Sequence, residues 1–64
     1  MIKRNMVKVG DILHWKRGDE HFLMLEQTCK HEKFNIWRAL NLANGQIEGV
    51  EMNGYNASCW KKVA

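Results

Sequence analysis

The chain contains no proline, so its breaks must come from glycine, asparagine and aspartate, and these recur at short intervals. Gly10-Asp11, Lys16-Arg17-Gly18-Asp19, Asn44-Gly45 and Asn53-Gly54 separate apolar runs of strand length. Breaks at such spacing predict an all-β barrel or sandwich. With 64 residues the chain is one domain, spanning 1–64. A chain of this size buries only about 60% of the surface its unfolded form exposes, so the core is thin. A hydrophobic content of 45% with three tryptophans is enough to oppose chain entropy, and an ordered domain is expected. The sequence has no repeat, no low-complexity tract and no linker.

The first strand is read from Val7 to Trp15, bending at Gly10, followed by a polar loop over Lys16 to Glu20. His21 to Thr28 is the second strand. Phe22, Met24 and Glu26 lie on one face of it and Leu23 and Leu25 on the other, which suits a central or strongly curved strand. From Phe34 to Leu42, alternation puts Phe34, Ile36, Leu40 and Leu42 on one face, interrupted by Arg38. The opposite face carries Asn35, Trp37, Ala39, Asn41 and Ala43 and reads as the polar, outer one. A helix at about residues 33–43 is the rival, because Ile36, Leu40 and Ala43 have helical spacing and Gly45 could cap it; such a helix would make the fold α+β. The sequel favours strand, since Asn44-Gly45 is a strong hairpin signal and Gln46 to Met52 is a natural return strand. Ile47 is out of phase there with Val50 and Met52, and a β-bulge at Gly49 would restore the phase. A tight turn over Asn53 to Ala57 leads into a last strand, Ser58 to Val63.

Five short strands, a bend after the first and a one-turn break before the last resemble an SH3-like five-stranded antiparallel small barrel. Val9-Gly10-Asp11, with Trp15 a few positions later, is similar to the first strand of Tudor-type barrels. The resemblance covers nearly the whole chain as layout and implies a non-catalytic binding module. The aromatic cage with which Tudor domains hold methylated side chains does not carry over, because the strand before Asn44 and the return strand lack the Tyr and Phe residues it needs. Barrels of this type are also similar to many uncharacterised phage proteins, which implies a viral source and work in the host cytoplasm.

No apolar run approaches the ~20 residues that span a bilayer, and Met1-Ile2-Lys3-Arg4-Asn5 has no apolar run behind it, so neither a membrane span nor a secretory signal is expected. In the cytoplasm Cys29 and Cys59 are expected as free thiols. Cys29-Lys30-His31 lacks the second ligand pair of a structural zinc site, so no metal and no cofactor are assigned. Cys29, His31 and Glu32 stand adjacent on a loop, where so small a core cannot hold a nucleophile, base and orienting group in register; no enzyme activity is expected.

Two binding hypotheses follow. The formal charge is +3, and in a small barrel the first and last strands lie together. Lys3, Arg4, Lys8, Lys61 and Lys62 would then meet beside Trp60, cations following phosphates and the ring stacking on a base of single-stranded nucleic acid. The rival is a protein-interaction or structural accessory module, viral or phage and homo-oligomeric in one version, using Trp37 on the outer face of the third strand. The bland readings are a solvated lysine rim that keeps edge strands from pairing and a Trp37 covered by its own chain.

Overall fold

The computed structural model describes Lys3 and residues 6–64. The chain is all-β: β1 (Ile12–Trp15), β2 (Glu20–Lys30), β3 (Phe34–Asn41), β4 (Ile47–Asn53) and β5 (Trp60–Lys62), with a 3₁₀ turn at Ala57–Cys59 before the last strand. They form one antiparallel five-stranded sheet in the order β4-β3-β2-β1-β5. The first and last strands are neighbours, as a closed-up layout requires. Among the described residues, no helix is long and apolar enough to cross a membrane.

The first strand, read from Val7, begins only at Ile12, and residues 9–10 form a turn at the glycine where the sequence placed a bend. Gly10 has φ +92°, a conformation that costs glycine little and other residues much. Its N–H donates to Met24 O at 2.8 Å, and Met24 N–H donates to Asp11 O at 2.8 Å, so the bent segment stays tied to β2. The Asn44-Gly45 signal also marks a connection, but a longer one than a two-residue hairpin. Asn41 N–H donates to Gln46 O, leaving four loop residues between them, and only Gly45 takes a positive φ, +73°.

β2 pairs with β1 over Glu20–Leu23 and with β3 over nearly its whole length, and its register with β3 slips twice, between Met24 and Glu26 and between Gln27 and Cys29. Each slip is a bulge that bends the strand and increases its twist. The two together let one sheet curl around a shared inner face. Leu13, Phe22, Met24, Trp37, Ala39, Val50, Met52 and Trp60 fill that face, joined by Val7 from the segment before β1.

Residues 34–41 form a strand, so the helix at 33–43 is excluded, but the faces of the strand are the reverse of the sequence reading. Asn35, Trp37, Ala39 and Asn41 are all buried, while Arg38 is exposed and Phe34, Ile36 and Leu40 are only half-buried. The physical reason is the depth of the barrel. The inner row of β3 is apolar in the middle, at Trp37 and Ala39, and polar at its two ends, where it reaches the rims. Trp37 is 3% exposed, so it is a core residue and no surface for a partner. Its indole N–H finds no hydrogen-bond acceptor, and packing alone holds the ring inside.

The bulge expected at Gly49 is absent. The β3–β4 ladder runs unbroken from Phe34 opposite Asn53 to Leu40 opposite Ile47. Ile47 is out of phase with Val50 and Met52 because it lies on the outer face, 56% exposed. Gly49 therefore sits in regular strand opposite Arg38, where a Cβ would meet nothing within 4 Å. Gly49→Ala is expected to raise unfolding free energy by about 0.5–1 kcal/mol, through the lower entropy of the unfolded chain. Trp37→Ala is expected to lower it by about 3–5 kcal/mol. Urea melts of both variants check the assignment, and a Trp37→Ala protein as stable as the parent would refute the core position of the ring.

Candidate functional site

The inner face is not covered to its end. Where β1 stops and β2 begins, Trp15 stands opposite Trp60 in the β1–β5 ladder and opposite Glu20 in the β1–β2 ladder. The two indoles lie 4.7 Å apart at 47°, and Phe22 sets its ring against Trp60 at 5.7 Å and 63°. With Glu20, Glu48, Val50, Glu51 and Asn56 they line a groove of about 320 Å³. Gly18 makes room for this mouth. A Cβ there would lie 2.8 Å from Glu20 Oε1 and 3.3 Å from Trp15 Cδ1.

Asn41, fully buried at the end of β3, organises the acidic side of the groove. Its Nδ2 donates to Glu20 Oε2 at 2.7 Å and to Glu48 Oε2 at 3.0 Å. Its Oδ1 accepts from Ala43 N–H at 2.9 Å. One amide thus uses both of its donors to hold two half-buried carboxylates side by side. Two other acids have cations, Asp11 pairing with Lys62 at 3.4 Å and Glu26 with Arg38 at 3.9 Å, and Asp19 meets His14 Nε2 at 2.7 Å. Among the described residues no cation pairs with Glu20 or Glu48. The groove is therefore a place where negative charge gathers unneutralised in a chain of net charge +3.

The residues singled out from the sequence fare differently. Trp60 is 4% exposed. It is a core ring whose edge the groove touches, and it offers no free face on which a base could stack. Lys61 and Lys62 are exposed but point to opposite sides of β5, Lys61 standing opposite His14 and Lys62 opposite Leu13. Lys62 reaches Asp11, and the same Asp11 oxygen accepts the backbone N–H of Lys8 at 2.8 Å. The charge of Lys62 is thus offset by a carboxylate, while Lys8 meets that carboxylate through its backbone only. Lys3 is exposed, and Arg4 lies outside the described residues. Cys29 and Cys59 are free thiols. Among the described residues, no three His, Cys, Asp or Glu side chains come together as a metal site.

Sequence reasoning passed over Trp15, Glu20, Asn41 and Glu48 as site residues. Glu20 was read as the end of the polar loop, whereas it is the first residue of β2 and stands opposite Trp15. Glu48 lies on the return strand, and its inward direction follows only once β4 runs without a bulge. Nothing local marks Asn41, whose role depends on two strands distant in sequence. Set against protein-family models, curated proteins and solved structures, the chain matches none.

If Glu20 and Glu48 repel each other across a shared donor, the two halves of the arrangement respond oppositely. Asn41→Ala, which removes the donor, is expected to destabilise the fold by about 2–4 kcal/mol. Glu48→Gln, which removes one charge and keeps an acceptor, should leave stability unchanged or raise it at neutral pH. Thermal melts at low and high salt check this, and a strongly destabilised Glu48→Gln would show that the charge is needed by the fold.

Proposed function

We propose that this chain is a non-catalytic binding module of the SH3-like kind that takes a cationic segment of a protein partner in the groove between Trp15, Glu20 and Glu48. The strand order, the bulged second strand shared by both halves of the sheet and the 3₁₀ turn before the last strand support the SH3-like reading. The observation that carries the function is the pair of carboxylates on Asn41, without a cation of their own among the described residues, beside the rings of Trp15, Phe22 and Trp60. A lysine or arginine entering there would lay its aliphatic stem along the indoles and place its charge between the two carboxylates. Trp15 already accepts such a contact within the chain, the Arg17 guanidinium lying 5.9 Å from its ring centre. A second copy of the chain is one source of such a segment, and a different protein is another. The same acids disfavour a phosphate backbone at this surface. Free thiols at Cys29 and Cys59 support a reducing compartment, the cytoplasm, and a host cytoplasm if the source is a phage.

Single-stranded nucleic acid on the terminal cations is the second reading. It is favoured by Lys3, Lys8 and Lys61, all exposed, with no ion pair at Lys61 among the described residues. Arg4 and Lys62 would add to it, without Trp60 as a stacking ring.

One titration series separates the two. Tryptophan fluorescence should respond to a short Arg/Lys-containing peptide and not to its uncharged analogue, with affinity falling about tenfold in Glu20→Gln and Glu48→Gln. If instead the protein ignores the peptide and binds labelled oligonucleotide, weakening steeply with salt and on Lys61→Glu, the function passes to the second reading.

A further inference from the structure

The sheet has two edges, and they are built differently. β5 is three residues long and carries Lys61 and Lys62, a short cationic edge of the kind that resists pairing. β4 is seven residues long, keeps an unbroken register with β3 and contains neither lysine nor proline. It stands last in the sheet, so no strand pairs with its outer side.

Ladder alternation identifies the backbone groups on that side. Phe34 O and Ile36 O turn toward β2, where they accept from His31 N–H at 2.9 Å and from Thr28 Oγ1 at 3.2 Å. Their partners across the β3–β4 ladder, Asn53 and Glu51, therefore turn their own backbone groups outward, and so do Gly49 and Ile47. Asn56 bears this out. Its Nδ2 donates to Glu51 O at 2.8 Å and its Oδ1 accepts from Asn53 N–H at 2.9 Å, so one side-chain amide occupies the end of the edge as a strand residue would. Short of that cap, the N–H and C=O of Ile47 and Gly49 and the N–H of Glu51 are left with no strand to pair with. The groove adjoins this stretch, since Glu48, Val50 and Glu51 all line it.

We infer that the cationic segment binds as an added strand on the outer edge of β4, bonded to the backbone of Ile47, Gly49 and Glu51; this rests on the groove reading above and specifies the form its ligand takes. Backbone bonds along an edge hold an extended peptide, and its alternate side chains then meet alternate rows of the sheet. One row of the added strand lies beside Glu48 and Val50, over the groove. The other lies beside Ile47 and Gly49, on the outer face. The matching ligand is an extended segment with lysine or arginine beside Glu48, an apolar residue two positions away beside Val50, and a β-branched residue between them on the outer face near the exposed Ile47. Gly49 leaves that outer row open, because a Cβ there would meet nothing within 4 Å. Glu48 also sets the selectivity. An inward-pointing charge on an edge strand opposes pairing with a neutral or acidic strand, and a strand that brings a cation removes the opposition. The segment comes from a different protein. The other sheet edge of this chain is too short to supply it, since only Trp60 and Lys62 of β5 face away from β1, and Trp60 N–H already donates to Ala57 O.

The test uses a short capped peptide in which lysine and valine alternate with threonine, titrated by tryptophan fluorescence. Two methylated forms accompany it, one N-methylated at the threonines and the other at the lysines and valines. Only alternate amides of an added strand face β4, so one form should lose about tenfold in affinity, the size of one or two hydrogen bonds, and the other should bind like the unmethylated peptide. Gly49→Pro removes an outward N–H without touching the β3 ladder and should also weaken binding about tenfold, its fold checked by thermal melt. Equal effects of the two methylations, both harmless or both harmful, overturn the inference. If Glu48→Gln still weakens binding in that case, the groove reading survives without the added strand. No response to the unmethylated peptide sinks both. Sedimentation of the protein alone should show a monomer, and a dimer dispersed by Gly49→Pro would give the edge to a second copy and overturn the inference as well.

Discussion

A single small sheet has a core only if it bends over on itself, and the bend in this protein is made by β2. Its two register slips against β3 turn an eleven-residue strand into the spine of a curled sheet, paired with β1 at one end and with β3 along its length. Everything else follows from that curl. It brings Val50 and Met52 of β4 onto the same core as Leu13 of β1 and Trp60 of β5. It also leaves the inner face open at its end, since a sheet this narrow cannot cover its whole concave side. The groove between Trp15 and Glu48 is that uncovered end, a direct result of closing a barrel with few residues.

The same thinness explains which parts of the fold were legible in the sequence. Glycine and asparagine marked the connections well because turn chemistry is local. Gly10 and Gly45 take the positive φ values that their surroundings suggested. The strand at 34–41 was legible too, from the hairpin signal that follows it. Its direction was not. Period-two reasoning assigns the more apolar face to the core, and in β3 that face was Phe34, Ile36 and Leu40. In a deep core the rule holds, but the inner row of β3 is apolar for only Trp37 and Ala39 before it meets the rims at Asn35 and Asn41. A buried asparagine at a rim is tolerated when its partners are supplied by neighbouring strands, and for Asn41 they are Glu20 and Glu48. The misplaced Gly49 bulge came from the same assumption. Ile47 was taken to belong inside, whereas it shares an outer row with Leu40, its partner across the ladder.

Aromatic residues were the least reliable guide. Trp37 and Trp60 looked like contact residues because of their neighbours in sequence, asparagines in one case and lysines in the other. Both are core rings, each with an indole N–H buried and unpartnered. A core this shallow needs large side chains to span it, and tryptophan supplies the most apolar area per position. The aromatic residue that the fold leaves exposed is Tyr55, whose polar turn drew attention only as a break.

Charge distribution then decides where binding can occur. The chain is cationic overall, and among the described residues Lys62 is tied to Asp11 and Arg38 to Glu26, while Lys61 faces the other side of β5 from Lys62. Glu20 and Glu48, by contrast, come together at Asn41 in a groove that Trp15, Phe22 and Trp60 also line. Two carboxylates held at one amide offer a cation two acceptors at once, which is the advantage the proposed ligand would gain there. A solvated rim of lysines gains no comparable advantage from its ligand. For this reason the proposed recognition is placed at the groove and not at the cationic termini.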